Sequence, residues 1–403
     1  MNVAFIAAGA RKATFIARRR RYGVMMRLLF SAGAGYSHIA PLLPLATAAR
    51  DLGHATVFVT GPGAVGHLEA AGLHGVAVGA AAAGPQPWGR YSPAELAVMS
   101  AEEKLAFVVT VMAEAGAGGR LDDMLAFFRD WRPELVVAAS GEFAAVAAAV
   151  VTGVPFAVHA IGPPKSAAVM AGGWAVVDEL VRRFEPGGLP SRDNVPYLDI
   201  WPGGLRPAGV EWDLPNRWPV RPDGMLPVEG ERPYPAPVVY VTAGTAHNTK
   251  PGVLEAMIGG VRDAGVDVVA TIGRDGDLDR FGTQPGHVRI THFLPQERVL
   301  PHAEVVVCHA GAGTVLGALA HGKPLVLTPL ATDQFDTAAQ VADAGAGVVA
   351  EPSPDAVRAA LGRVRRNPAY RAAAGVLAAE IAAMPPPVAV LERLTGGDGL
   401  GQQ

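Results

Sequence analysis

A single cysteine, Cys308, occurs in the 403 residues, so the chain can form neither an internal disulfide framework nor a cysteine-cluster metal site. It closes an apolar run just before a histidine-glycine turn and reads as a small core residue, since buried thiols are inert. Charge is also scarce. Only 18% of residues are charged and the net charge is −3, which gives no reason to expect nucleic acid or an anionic membrane surface as partner. No apolar run approaches the roughly 20 residues of a membrane-spanning helix. Acid is absent from the first 25 residues, which carry Arg11, Lys12 and Arg18 to Arg21. A signal peptide would place a longer apolar core after its charges. Residues 1–25 therefore read as a disordered basic tail or an over-extended gene start, with a targeting or membrane-surface role as the lesser alternative, and the lone cysteine fits a reducing cytoplasm.

What is present is apolar and punctuated. Half of the residues are hydrophobic, enough for two or three domains with cores of their own. Arg27 to Ser31 is a short apolar strand, followed by a glycine turn ending in His38, a helical segment from Ile39 to Leu52 and a strand from Ala55 to Thr60. Strand, glycine turn, helix, strand opens a parallel α/β unit. The pattern predicts helices over 101–115, 121–130 and 144–151, and strands over 134–139 and 154–159. Residues 161–236, with Trp174, Trp201, Trp212 and Trp218, read either as loops around an apolar cleft or as a packed domain edge plus linker. Six prolines fall between Pro219 and Pro237, the best linker. Strands then return at 238–242, 267–272, 288–291, 305–308 and 324–328. The closing helices are expected over 354–366 and 370–383, with a last segment over 387–394. The expected organisation is thus a tail over 1–25, a first domain over 26–218, a linker over 219–237, a second domain over 238–384 and a C-terminal segment over 385–403.

The run from Val305 to Val341 organises the second half. A β-branched strand ends in His309-Ala310-Gly311-Ala312-Gly313-Thr314, and a helical pattern follows. Glycines at a strand's carboxyl end let backbone approach a ligand, and a helix N-terminus offers free N–H groups and positive dipole. That combination suits phosphates. Thr314 adds a hydroxyl and His309 an N–H donor. Beyond Pro324 and Pro329 stand Asp333 and Gln334, an acceptor and a mixed donor–acceptor of the kind that brackets sugar hydroxyls.

The string His309, Gly311, Gly313, Thr314, Gly322, Pro324, Pro329, Asp333, Gln334 resembles the donor signature of the GT-B glycosyltransferases of family 1, particularly bacterial enzymes that decorate natural products. The resemblance covers most of the chain from Met26 onward, more loosely in the first half. It implies two Rossmann-like, open parallel-sheet α/β domains facing a cleft. Acceptor contacts are expected from the first domain, chiefly residues 80–125 and 161–215. It further implies a hexosyltransferase-type reaction using a nucleoside diphosphate sugar as co-substrate and a small hydrophobic acceptor. Within it, Phe293-Leu294-Pro295-Gln296 matches an aromatic-X-Pro-Gln segment in which Phe293 stacks on the donor base and the Leu294 backbone bonds its edge. Phe293 filling core is the competing reading. Thr245 is expected to face the diphosphate, and His309 with the N–H groups after Gly311, including Ala312, to take the leaving charge. Relatives that use UDP-glucose often carry a ribose-binding glutamate where this chain has Gly317, which favours a dTDP-deoxysugar over a UDP-sugar.

His38, with Gly35 and Pro41 beside it, matches the family's N-terminal motif, in which this histidine is the general base. Relatives orient it with an acid after the 134–139 strand; Ala138, Ala139 and Ser140 stand there instead. Glu142 is the nearest carboxylate, and Asp122 and Asp123 are further candidates. The histidines lack metal-ligand spacing, and Asp275-Gly276-Asp277 reads as a solvated turn, so neither metal nor cofactor is expected. The rival readings are another GT-B enzyme, such as an epimerase or a lipid-sugar transferase, and a non-catalytic helper that binds nucleotide-sugar or aglycone. A homodimer is compatible with either.

Overall fold

The structure is a computed structural model that describes residues 25–79, 95, 99, 107, 120–184, 194–206, 216–225, 237–244, 251–274, 276–331 and 333–396. The expected tail (Met25 apart), the expected helix over 101–115 (Phe107 apart), Thr245, Asp275 and residues 226–236 of the expected linker lie outside them. The chain divides into two compact units, one of Met1–Asp199, Trp212–Val220 and Pro385–Gln403, the other of Ile200–Glu211 and Arg221–Met384.

The first unit is built on a seven-stranded parallel sheet in the order β3-β2-β1-β4-β5-β6-β7. Its strands are β1 Arg27–Ser31, β2 Ala55–Thr60, β3 Gly75–Ala77, β4 Leu135–Ala139, β5 Phe156–His159, β6 Tyr197–Asp199 and β7 Arg217–Pro219. All five residues of β4 are buried, as expected where helices cover both faces of a parallel sheet. The second unit carries six parallel strands in the order β10-β9-β8-β11-β12-β13. These are β8 Val238–Thr242, β9 Asp267–Thr271, β10 Val288–Thr291, β11 Ala303–Cys308, β12 Leu325–Leu327 and β13 Gly347–Val349. On one face of this sheet Val239, Val241 and Val307 pack in a core with Leu254 and Met257 of the helix Val253–Val261 and Leu361 of the helix Pro354–Arg366. Each side chain so buried contributes about 1.5–3 kcal/mol. In both sheets strand order reverses beside the first strand of the unit, between β1 and β4 and between β8 and β11. Ligands of open α/β sheets bind outside such a switch point.

Several expectations need correction. The helix expected over 39–52 is three pieces, Tyr36–Ile39, a 3₁₀ turn Ala40–Leu42 and Leu43–Asp51, because Pro41 and Pro44 cannot donate into a continuous ladder. Within 161–236 the described residues include the 15-residue helix Ala167–Val181 and two strands, β6 and β7, none of them expected from the sequence. Trp201 and Trp218, 0% and 3% exposed, are core residues rather than a cleft lining. Trp201 also lies in the second unit, where its Nε1 donates to Gln340 Oε1 at 2.8 Å. Finally, Ala369–Thr395 is long and apolar enough by composition to cross a membrane. It is nonetheless two helices, Ala369–Ala383 and Pro387–Thr395, broken at Pro385-Pro386. Each buries one side, the first through Tyr370, Ala374, Leu377 and Ile381, the second through Val390, Leu391 and Leu394.

His159, which ends β5, is 1% exposed, and its Nδ1 lies 2.7 Å from the Ala160 carbonyl. Burial pushes its pKa from 6.5 down to about 4, the carbonyl contact opposing part of that fall. The unfolded chain therefore binds a proton through pH 6.5 that the folded chain refuses until about pH 4. Stability should fall as pH drops through this window, by up to about 3 kcal/mol from this group. Urea melts of wild type and His159→Gln across pH 4–7 check it; parallel curves for the two proteins would contradict it.

Candidate functional site

At the switch point of the second sheet, Cys308 of β11 lies in register with Thr242 of β8. Two turns leave the sheet side by side, Ala243-Gly244 and His309-Ala310-Gly311. His309 is 7% exposed, and its imidazole fills the gap between the turns. A methyl group at position 244 would lie 2.5 Å from His309 Cε1 and 2.9 Å from Nε2; one at position 311 would lie 2.5 Å from Nε2 and 2.7 Å from Cε1. Carbon atoms do not approach that closely, so only glycine fits on either side of the ring. Gly244 also holds φ +68, and Ala310 holds φ +64, a conformation that non-glycine residues rarely adopt outside functional sites.

The nine-residue helix Ala312–Ala320 starts at once, with Gly311 as its N-cap and no capping side chain. The N–H groups of Ala312, Gly313 and Thr314 thus form the positive end of the helix with no N-cap side chain bound to them. Cys308, fully buried below, keeps its proton: burial drives its pKa from 9 up to about 12, as expected of a packing residue.

Of the further predicted residues, Gln296 has a direct contact with this helix start. Gln296 Nε2 donates to Thr314 Oγ1 at 3.1 Å, which leaves the threonine O–H free to donate outward. Leu294 is half-buried between Phe293 and Gln296. Phe293 is 43% exposed, so it does not fill core. The Arg274 guanidinium sits 4.1 Å from its ring centroid, a cation–π contact that occupies one face of the ring. Gln334 departs from the simplest expectation. Its Oε1 accepts from the Leu330 and Ala331 N–H groups at 2.8 and 3.1 Å, so the oxygen shapes the loop and only the Nε2 group is left for a ligand. Asp333 is the N-cap residue of the helix Gln334–Asp343 and is half-buried.

In the first unit His38 is exposed in the short helix Tyr36–Ile39, after the turn that leaves β1. A methyl group at Gly33 would come within 3.1 Å of its Nδ1. Ala138 and Ala139, at the end of β4, are buried and offer no carboxylate. Glu142 is 4% exposed and is bound to Arg120, Nη1 to Oε2, at 2.6 Å. Burial raises its pKa, and the guanidinium opposes that rise. The carboxylate expected to face His38 therefore has an arginine as its partner. Asp122 and Asp123 are exposed on the helix Arg120–Trp131. Arg120 and Arg274 have no sequence signal; each reaches its partner only through the fold. Asp277 accepts from the Asp279 N–H at 2.9 Å and caps a turn. Among the described residues no group of three or more His, Cys, Asp or Glu converges as a metal ligand set would.

Gly244→Ala should force the His309 ring out of place. We expect at least a tenfold loss of affinity for a nucleoside diphosphate, about 1.4 kcal/mol, measured by calorimetry on folded protein. Unchanged affinity would mean that the ring position does not matter to the ligand.

Residues 255–396 match the model of the erythromycin biosynthesis protein CIII-like C-terminal domain. The chain is 32% identical over 388 residues to elloramycin glycosyltransferase ElmGT of Streptomyces olivaceus, covering 93% of this chain and 98% of that protein. Its fold is similar to that of the crystal structure of the glycosyltransferase SnogD from Streptomyces nogalater, with a TM-score of 0.73, 26% identity and 93% and 99% of the two chains covered. It is similar as well to the spinosyn rhamnosyltransferase SpnG complexed with thymidine diphosphate, with a TM-score of 0.76, 22% identity and 92% and 100% covered. The chain belongs to the GT-B glycosyltransferases of antibiotic biosynthesis.

Proposed function

We propose that this glycosyltransferase moves a deoxysugar from a dTDP-sugar, in preference to a UDP-sugar, to a hydroxyl of a small hydrophobic natural-product aglycone. The transfer is one inverting displacement that needs no metal. The acceptor O–H gives its proton to His38 as its oxygen bonds to the anomeric carbon, and the bond from that carbon to the diphosphate oxygen breaks. The leaving nucleotide carries away the electron pair. His38 suits the first task because it is exposed and can exchange the proton it takes.

The observation that carries the reading is the slot that fixes His309 between Gly244 and Gly311, beside the uncapped start of the helix Ala312–Ala320. Charge grows on the diphosphate as the bond breaks. A fixed ring N–H, the N–H groups of Gly313 and Thr314 and the Thr314 hydroxyl meet that charge without having to reorganise. Fixed dipoles of this kind do the work that a cation does in metal-dependent transferases, which is why we assign no metal. The outer face of Phe293 takes the base, with Arg274 stacked behind it. Asp333 and the Gln334 amide hold sugar hydroxyls. The preference for dTDP is supported by Gly317, where a ribose-binding carboxylate is lacking. The thymidine diphosphate complex of the spinosyn rhamnosyltransferase is consistent with it.

One titration series tests both halves of the reading. Wild type and His38→Ala are titrated with dTDP and with UDP in the presence of EDTA. Both proteins should bind dTDP with similar affinity and UDP more weakly, while sugar transfer by His38→Ala falls by about 10²–10⁴-fold. Stronger UDP binding would reverse the donor assignment, binding that appears only when EDTA is replaced by a divalent cation would restore a metal, and full turnover by His38→Ala would remove it as the base.

A further inference from the structure

Three buried hydroxyls lie on the strands beneath the Gly244 turn, where a parallel sheet covered on both faces ordinarily places only apolar side chains. Tyr240, Thr242 and Thr271 are 1%, 3% and 6% exposed. Thr242 and Thr271 are register partners on β8 and β9. Tyr240, two residues before Thr242, shares its face of the sheet. Val239, Val241 and Ala243 point the other way, into the apolar core.

The hydroxyls form one connected line. Tyr240 Oη lies 3.0 Å from Thr271 Oγ1, Thr271 Oγ1 donates to Thr242 Oγ1 at 3.0 Å, and the Gly244 N–H donates to the same Thr242 Oγ1 at 3.2 Å. Counting protons gives the line a direction. Thr271 has a single hydroxyl hydrogen, which goes to Thr242, so Tyr240 must donate to Thr271. Both acceptor positions of Thr242 Oγ1 are then filled, one by Thr271 and one by the turn. Hydrogen bonds in such a series polarise one another, and in a low-dielectric interior each is stronger for it.

Where the line ends is what gives it meaning. It stops at the backbone of Gly244, the residue whose missing side chain admits the His309 ring on one side. Movement of Gly244 by a few tenths of an ångström changes the width of that slot directly. We infer that Tyr240, Thr271 and Thr242 are positioning residues: their hydroxyl line tethers the Gly244 turn and so sets the place of the His309 imidazole against the donor diphosphate. All three are buried, so the role assigned to them is indirect, and the inference rests on the proposed role of His309 at the diphosphate.

The test uses the full chain, with dTDP as the probe and the His309 Cε1–H signal in ¹H–¹³C spectra as the second readout. Thr242→Val keeps the shape and removes the acceptor. It should weaken dTDP about fivefold to tenfold, the effect of one lost hydrogen bond at a binding group, and should move the His309 signal. Thr242→Ser, which keeps the oxygen, should restore both. Tyr240→Phe removes only the far oxygen and should give a smaller change in the same direction, about twofold to threefold; it carries the test if Thr242→Val does not fold. A purely structural role would lower the melting temperature yet leave affinity and the His309 signal at wild-type values, and that result overturns the inference while the donor site stands. Failure of the wild-type protein to bind dTDP or UDP at all would instead remove the donor site itself.

Discussion

A buried imidazole wedged between two backbone turns is the constraint on which the second unit depends. His309 can sit where it does only because Gly244 and Gly311 have no side chains to meet its ring. Those turns in turn lie side by side because β8 and β11 are neighbours at the point where strand order reverses. A parallel sheet delivers every strand's carboxyl end to one edge, and the reversal opens a crevice there. Glycine, strand order and helix dipole meet at this edge, and in the function we propose they form a fixed, electropositive pocket for a group whose negative charge grows during reaction.

The two units repeat one topology and use its switch point in opposite ways. In the first, the histidine after the leading strand, His38, is exposed on a short helix whose continuation is interrupted by Pro41 and Pro44. In the second, His309 is packed away and its ring held on both sides. Exposure suits a group that must take up and release a proton each cycle; immobility suits one that must stabilise charge without moving. The same side chain is thus exposed in one unit and buried in the other, and that difference is what the proposed roles of base and anchored donor rest on. Beneath the second site the polar tether from Tyr240 to Gly244 replaces apolar packing, at a place where a small displacement of backbone changes the pocket.

The sequence makes the frame legible because its signals are local. A β-branched run before a glycine turn identifies β11, and the helix Pro354–Arg366 is bounded by Ser353, whose hydroxyl accepts from the Ala356 N–H. The three-residue strands β6 and β13, unlike β12 in its apolar run after Pro324, carry no pattern legible in the sequence, and they pair with neighbours in the sheet. The site divides along the same line. His309, Gly311, Gly313 and Thr314 stand together in the chain and are visible as a string. The pairing of Glu142 with Arg120, the stacking of Arg274 on Phe293 and the Tyr240–Thr271–Thr242 line join residues 22, 19 and up to 31 positions apart. No composition or spacing rule reaches across such intervals, and for the buried Glu142 and the buried hydroxyls it is burial that makes a partner obligatory. Gln334 illustrates the limit from the other side: its identity is visible in the sequence, but the loss of its oxygen to the 330–331 backbone is not.

The account turns on the His309 slot being the diphosphate pocket, and a crystal structure with dTDP bound tests that most directly. The β-phosphate should lie within 2.7–3.2 Å of the Gly313 or Thr314 N–H and in contact with the His309 ring, with the thymine against the outer face of Phe293. A nucleotide bound elsewhere, or one whose phosphates leave these N–H groups to water, would contradict the account at its base.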